Sequence, residues 1–315
     1  MEKSQKKNNK PISDVFLNRS LAFIYNLERF TEDPVEENLH QSRVAGRKLE
    51  SLFESFGHLS NSDYKTYNKQ INNIIKLLSA SREADVCISM TNEYLKQIKV
   101  KNIIYSNFLN HLIRNSKLQR KRIFKNNDIN NFLEDKVSFE KFIRLDMFLG
   151  DTYLSFDDAK NYSRLIIPKL YDKVLNYKDA VVHNPADKKK LHKMRLKAKP
   201  LRYLVEFANE VFDCNLTDLC KQIKEFVEQA GLIHDIDMLL ERIHKFSELL
   251  NNLKSKEEIV KNDKSLKVFI RYLNNKRQEE YASFCEMIFI MESENIKEKL
   301  LLKLIHCSES NVNKT

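Results

Sequence analysis

The chain has 315 residues, enough for one large or two ordinary domains. It contains only 4 glycines and 5 prolines, and so few turn residues exclude a many-stranded β-fold or a glycine-rich nucleotide-binding α/β fold. Because 42% of the residues are hydrophobic, including 19 Phe and 12 Tyr, the chain can bury a core, and its composition predicts an all-α protein.

The net charge of +10 is concentrated in two segments. Residues 94–125 contain nine Lys or Arg and residues 188–202 contain eight, and neither segment contains an Asp or Glu. Dense positive charge on one part of a folded chain indicates a polyanionic partner, because each neutralised phosphate releases condensed counterions.

Hydrophobic periodicity predicts two sets of helices between solvated tails at 1–12 and 308–315. The first set lies near 13–30, 34–57, 62–80, 83–98 and 103–126. A polar, Asn-rich break at 126–136 separates it from helices near 138–150, 156–180, 185–212, 215–231, 234–253 and 263–293. The lysines near 297–303 are interpreted as a solvated face.

An internal repeat is the most informative feature of the sequence. The segment LHQSR at 39–43 recurs as LHKMR at 191–195, an offset of 152 residues. At the same offset, READ at 82–85 aligns with HDID at 234–237. Two segments that share one offset predict a duplicated helical unit, with a first copy at 13–133 and a second at 134–307.

The repeated segment predicts a helix with one basic and one apolar face. At about 100° per residue, His40, Arg43 and Arg47 fall within an arc of about 60°. Apolar residues lie opposite: Leu49, Leu52, Phe53 and Phe56. In the second copy an arc of about 80° holds the basic residues His192, Arg195, Lys199 and Arg202. Leu201, Leu204, Val205 and Ala208 lie opposite them.

A third basic face is predicted in the run at 94–125, where Arg114, Lys117 and Lys121 share one side of a helix. Arg82 lies where the second copy has His234, and it can either pair with Asp85 or reach an anion. The repeated acids Asp85, Asp235 and Asp237 are interpreted as capping or orienting residues. Arginine favours phosphate as the bound group, since its planar fork contacts two oxygens at once.

Two alternatives remain open. His192, His234, Asp235 and Asp237 could act as the ligands of a metal-dependent phosphohydrolase, although the first copy has Arg82 in place of a ligand. A helical bundle could also bind a nucleic-acid backbone without sequence preference, although no known nucleic-acid motif is visible. The preferred interpretation has no catalytic residue, metal or cofactor.

The five cysteines form no C-x-x-C pair and are predicted to be reduced thiols. No secretory signal or membrane span is visible, so the sequence predicts a cytoplasmic protein without a membrane partner.

The duplicated pattern resembles the conserved histidine α-helical domain, or CHAD, family. The residues that carry the resemblance are LHQSRVAGRKLESLF (39–53) with SREADV (81–86), and LHKMRLKAKPLRYLVEF (191–207) with GLIHDIDMLL (231–240). The resemblance extends over about residues 13–300. It implies two pseudo-symmetric helical bundles whose basic faces meet in a central groove or pore.

The resemblance also implies binding of inorganic polyphosphate, often at polyphosphate granules, rather than its turnover. Carried over to this sequence, the contacts are Arg43, Arg47, Arg195, Lys199 and Arg202, with His40 and His192 beside them. Two residues depart from the pattern. Glu50 stands where the first copy usually continues its basic cluster, and Pro200 replaces a basic residue and is expected to kink the helix. Both departures predict weaker binding, or binding displaced toward Arg114, Lys117 and Lys121.

Overall fold

The computed structural model describes residues 12–59, 64–99, 102–147, 154–212, 214–251 and 256–307. Over these ranges the chain is all-α without a β-strand, which confirms the predicted fold class. The helices are α1 (Ile12–Glu32), α2 (Glu36–Phe56), α3 (Tyr64–Ile98), α4 (Ile103–Lys125), α5 (Asp128–Glu134), α6 (Lys136–Lys141), α7 (Phe156–Leu175), α8 (Lys178–Val182), α9 (Lys188–Val211), α10 (Thr217–Asn251), α11 (Lys256–Ser293) and α12 (Ile296–His306). A 3₁₀ turn at Gly57–Leu59 follows α2, and a π-helical turn at Phe142–Asp146 follows α6.

Two predicted helix breaks are wrong. The helices expected at 62–80 and 83–98 form the single helix α3, and those expected at 215–231 and 234–253 form α10. No glycine or proline interrupts α3, so nothing stops its backbone hydrogen bonds. Gly231 lies inside α10, where a glycine costs only about 1 kcal/mol relative to alanine and tertiary packing offsets it.

The Asn-rich break differs from the prediction, whereas the C-terminal lysines are partly or fully exposed on a helix, as a solvated face requires. Helix α5 occupies most of 126–136, with Ile129 and Phe132 buried. Lysines 297–303 belong to α12, which buries Ile296, Leu300 and Leu304 and packs against α7. The spacing of these three apolar residues is that of one helix face. Of the predicted tails, 1–11 and 308–315 lie outside the described residues.

The helices of the two halves pack in the same order. In the first half α1 contacts α2, α2 contacts α3 and α3 contacts α4; in the second half α7 contacts α9, α9 contacts α10 and α10 contacts α11. The halves meet through the contacts α2–α9, α3–α10 and α4–α11. This arrangement is what a duplicated unit would give, and the duplication itself stays a prediction.

The predicted apolar faces of α2 and α9 are confirmed, because all eight of their residues are buried: Leu49, Leu52, Phe53, Phe56, Leu201, Leu204, Val205 and Ala208. The two helices meet where the ring of Phe56 packs on that of Phe207, with centroids 4.8 Å apart. A second core joins α3, α4, α10 and α11, and there the rings of Tyr94 and Phe269 stack at 4.0 Å. Burial of these faces turns the opposite, polar faces of α2 and α9 away from the core.

Gly46 lets α2 approach its two neighbours closely. A Cβ at this position would lie 2.8 Å from Cε2 of Phe23 on α1 and 2.9 Å from Cγ1 of Ile75 on α3. No real Cβ tolerates such contacts, so only glycine fits at this separation of α1, α2 and α3. The neighbouring Arg47 is thereby held at a fixed distance from α3.

Helix α9 continues on both sides of Pro200 to Val211, and the kink expected at this proline stays a prediction. One further expectation needs correction. Cys214 and Cys307 form a disulfide instead of two reduced thiols, whereas Cys87, Cys220 and Cys285 are free. Within the described ranges, no helix combines the length and apolarity needed to cross a bilayer.

Candidate functional site

The polar faces of four helices surround one cavity of ≈ 340 Å³. Helices α2 and α3 from the first half and α9 and α10 from the second half supply its walls. Seven residues singled out as anion-binding line it: His40, Arg43, Arg47, Arg82, His192, Arg195 and Lys199. The repeated basic faces, which are far apart in sequence, are therefore brought together in space.

Helix periodicity explains why these side chains converge. Arg43 and Arg47 are four residues apart on α2, and Arg195 and Lys199 are four residues apart on α9, so each pair forms a short row along one helix face. The opposite faces of both helices are fixed in the core. Because α2 and α9 contact each other directly, the two rows face the same space.

Arg43 and Arg195 are largely buried in the cavity wall without a direct ion pair among the described residues. Burial, followed by the positive charges of Arg47, Arg195 and Arg82, lowers the pKa of Arg43, and nearby Tyr203 opposes this effect. Burial also lowers the pKa of Arg195, against the attraction of Asp235. The Nε atoms of Arg43 and Arg195 are buried without a hydrogen-bond partner among the described residues. Such donors are costly unless an acceptor reaches them, and a phosphate oxygen would serve.

Lys199 and the histidines respond to the same surroundings. Burial, and then the charges of Arg195 and Arg43, lower the pKa of Lys199 to about 7. Burial and Arg195 lower the pKa of His234 to about 4. The pKa values of His40 and His192 are also lowered, first by burial and then by Arg82 or Arg195. The histidines are therefore neutral at pH 7, and Lys199 is charged in about half of the molecules.

Carboxylates accompany the cations, and the sequence interpretation missed two of them, Glu36 and Glu83. Arg47 Nη1 donates to Glu50 Oε2 at 2.6 Å, and Arg82 donates to Glu36. Glu83 and Asp235 line the cavity itself. Burial raises the pKa of Asp235, although Arg195 and Arg43 oppose that shift. Glu83 could have been predicted, because it is adjacent to Arg82 in the repeated segment. Nothing in the sequence links Arg82 to Glu36.

Four predicted binding residues lie outside the lining of this cavity. Arg114, Lys117 and Lys121 are exposed on α4. Arg202 bonds to Glu206 through Nε at 2.8 Å and forms an ion pair with Glu228 at 3.5 Å.

Two of the three repeated acids stabilise the interior. Asp85 accepts hydrogen bonds from Ser116 at 2.7 Å and from Arg120 at 3.1 Å. Asp237 accepts a bond from Arg277 Nε at 2.7 Å and forms an ion pair with Lys188 at 3.0 Å. Both carboxylates are buried and occupied by cations, so they orient neighbouring side chains.

A second cavity, of ≈ 630 Å³, lies between α9 and α10. It shares His192 and His234 with the first cavity, and the two imidazole rings lie 4.6 Å apart between centroids. Lys189 and Lys193 lie on its α9 side. The histidine pair thus forms the common wall of the two spaces.

The alternative based on metal ligands receives no support from this geometry. His192 and His234 are neighbours, but Asp237 is engaged by Arg277. In the part of the chain that the structure describes, no three His, Cys, Asp or Glu side chains are grouped so as to hold a metal ion.

Fold and site together define an all-α protein in which two helical halves enclose a cation-rich cavity. The sequence profile of the CHAD domain matches residues 18–244, well over half of the chain. The chain therefore belongs to the CHAD domain family. No curated protein sequence matches it in a direct comparison.

Two solved structures share the fold. The crystal structure of the CHAD domain from the plant Ricinus communis superposes with a TM-score of 0.64 at 15% identity, covering 89% of this chain and 92% of that domain. PptA from Streptomyces chartreusis gives a TM-score of 0.62 at 12% identity, covering 88% of this chain and 100% of PptA. At such low identities these similarities concern the fold alone.

Proposed function

We propose that the protein binds inorganic polyphosphate in the cavity between α2, α3, α9 and α10, without turning it over. The observation that carries the proposal is the convergence of Arg43, Arg47, Arg195 and Lys199 from both halves onto one partly open cavity. Membership of the CHAD family supports the same ligand. The resemblance implies polyphosphate granules as the setting, and the sequence interpretation predicts the cytoplasm.

The chemistry of the cavity matches a phosphate polymer. The buried Nε atoms of Arg43 and Arg195 need acceptors, and phosphate oxygens accept strong, charge-assisted hydrogen bonds from guanidinium groups. Each bound phosphate unit also relieves the mutual repulsion of the clustered cations. Many weak contacts along one chain then add, because successive units are held at high effective concentration.

The exposed basic face of α4 would contact only the part of a long polymer that extends outside the cavity. Arg114, Lys117 and Lys121 are solvent-exposed and lie outside the cavity lining. Exposed charges contribute about 0–1 kcal/mol each and are screened by salt. We therefore assign them a secondary role, for chains that extend beyond the cavity.

The proposal is tested by replacing Arg43, Arg47, Arg195 and Lys199 together with alanine. We expect the loss of polyphosphate binding in isothermal titration, with an unchanged far-ultraviolet circular dichroism spectrum. A matched control replaces four exposed lysines that pair with acids elsewhere, Lys221, Lys224, Lys297 and Lys299, and so removes the same formal charge.

The control is expected to keep most of the wild-type affinity. Equal weakening of both variants would show that net charge, and not this cavity, attracts the polymer. Titrations at several salt concentrations should show affinity falling steeply with ionic strength. Competition with single-stranded DNA separates polyphosphate from a general polyanion, since no Phe, Tyr or Trp is among the described residues that line the cavity.

A further inference from the structure

The cations of the cavity fall into two groups. Arg43 and Arg195 make no hydrogen bond or ion pair with a carboxylate among those found in the described residues, and their Nε atoms are buried without a partner there. Arg47 and Arg82 each form an ion pair with a carboxylate, from Glu50 and Glu36 respectively, although the Nε atom of Arg47 is also buried without a partner among the described residues. Arg47 and Arg82 are therefore already in direct ion pairs, whereas Arg43 and Arg195 interact with the cavity carboxylates Glu83 and Asp235 only at longer range.

Resting on the proposed function, we propose that Glu50 and Glu36 are built-in counterions that a bound anion must displace, and that they set the polymer length at which the whole cation array is engaged. A short anion occupies Arg43 and Arg195 and leaves both pairs intact. A longer chain reaches Arg47 and Arg82, and its phosphate groups replace the carboxylates as hydrogen-bond acceptors of the two guanidinium groups.

The two exchanges differ in cost. A guanidinium group binds carboxylate and phosphate in the same forked geometry, so the arginine exchanges one set of hydrogen bonds for a similar one. The cost of each exchange therefore depends on the surroundings of the displaced carboxylate. The side chain of Glu50 is only 8% exposed, so its charge stays buried beside the bound anion, whereas Glu36 is 50% exposed and returns to water. Glu50 therefore opposes long-chain binding more than Glu36 does.

Neighbouring acids strengthen the effect at Glu50. Glu54 lies one turn further along α2, and burial followed by the charge of Glu50 raises its pKa. Two carboxylates on one side of Arg47 repel any phosphate that approaches it. This region is also where Glu50 replaces the basic residue that the family pattern leads one to expect.

The test compares Glu50→Gln and Glu36→Gln with Asp172→Asn as the matched control. Each substitution removes one negative charge with little change of shape, and Asp172 pairs with Lys297 on helices that do not line the cavity. Affinities are measured by isothermal titration for orthophosphate, for tripolyphosphate and for polyphosphate of several tens of units.

For long polyphosphate we expect Glu50→Gln to tighten binding about five- to tenfold relative to Asp172→Asn, the scale of one ordinary intramolecular hydrogen bond. Glu36→Gln should tighten it by about twofold, as for an exposed ion pair. Orthophosphate affinity should stay within about twofold for all three variants. The amide introduced by Glu50→Gln can still accept a hydrogen bond from Arg47. If Glu50 only positions Arg47, this substitution should therefore not increase the affinity for polyphosphate.

An equal effect on orthophosphate and long polyphosphate, or weaker long-chain binding by Glu50→Gln, would overturn the counterion assignment while leaving polyphosphate binding intact. If the wild-type protein binds no polyphosphate but Glu50→Gln does, the proposed function is overturned and the counterion assignment is supported. If no variant binds any phosphate anion, both are overturned.

Discussion

Arg43 on α2 and Arg195 on α9 line the same cavity, although 152 positions separate them in the sequence. The charge of Arg195 contributes to the lowered pKa of Arg43, after burial and the charge of Arg47. Each has a buried Nε atom without an acceptor in the described part of the chain. Two facing cations with unused donors form a site that an anion stabilises.

Single substitutions should show that Arg43 and Arg195 contribute more to polyphosphate affinity than an arginine that is already paired with a carboxylate. We expect Arg43→Ala to weaken polyphosphate binding by about ten- to a hundredfold, because it removes charged hydrogen bonds worth about 1.5–3 kcal/mol. Arg202→Ala should change the affinity less than about threefold, since Arg202 pairs with Glu206 and lies outside the cavity lining. Isothermal titration at one salt concentration measures both. Similar losses would place the bound chain along the outer face of α9.

Binding should depend on pH through Lys199. Its pKa of about 7 lies far below the ordinary value for lysine, so the empty site is mostly uncharged at this position above pH 7. A bound polyanion favours the charged amine and raises this pKa, so binding takes up a proton. Affinity should therefore fall by up to about tenfold per unit as the pH rises above 7.

A long polyphosphate is the suitable probe for this dependence, because its titrating end groups are a small fraction of its charge. Lys199→Arg provides the control, since arginine stays charged over the whole range. The variant should bind with nearly constant affinity between about pH 7 and 9. If the affinity of Lys199→Arg still falls as the pH rises, another group takes up the proton on binding. His234, with a pKa of about 4, and His40 and His192, whose pKa values are also lowered, are neutral throughout this range.

The exposed residues of α4 should matter only for long polymers. Replacing Arg114, Lys117 and Lys121 with alanine is expected to leave tripolyphosphate affinity within about twofold, because exposed charges outside the cavity act weakly on a short ligand. Affinity for polyphosphate of several tens of units should fall by about five- to tenfold, because the polymer is then held at fewer points. Equal losses for both lengths would instead place α4 within the primary site.

Stability should depend on the buried pair of Arg277 and Asp237. The guanidinium group donates to both carboxylate oxygens, at 2.7 and 3.2 Å, and both residues are buried. Arg277→Ala is expected to lower the free energy of unfolding by about 3–5 kcal/mol, since it leaves a buried carboxylate with only Lys188. The exposed pair of Lys245 and Glu241 offers the comparison: Lys245→Ala should cost about 0–1 kcal/mol in urea unfolding. Equal losses of unfolding free energy in the two variants would contradict the greater importance assigned to the buried pair.

The sequence predicts the cavity residues well where they follow helix periodicity. His40, Arg43 and Arg47 share one face of α2, and the apolar residues of the opposite face are buried as expected. Convergence of the two basic faces was implied by the family resemblance, because neither periodicity nor the repeat shows which helices meet.

The counterions of the cavity are harder to predict. Glu36 pairs with Arg82 across 46 residues, and only the packing of α2 against α3 brings them together. The continuity of α3 and α10 was missed for a different reason. Local sequence signals for helix ends are weak compared with the tertiary contacts that extend a helix.

The tight packing at Gly46 has a consequence for how the site could change over evolution. Because Phe23 and Ile75 leave no room for a Cβ there, the depth at which α2 lies is set by apolar neighbours on α1 and α3. The width of the cavity beside Arg47 is thus a property of the protein interior. Substitutions among buried aromatic and aliphatic residues, none of which touches a ligand, could retune what the protein accepts.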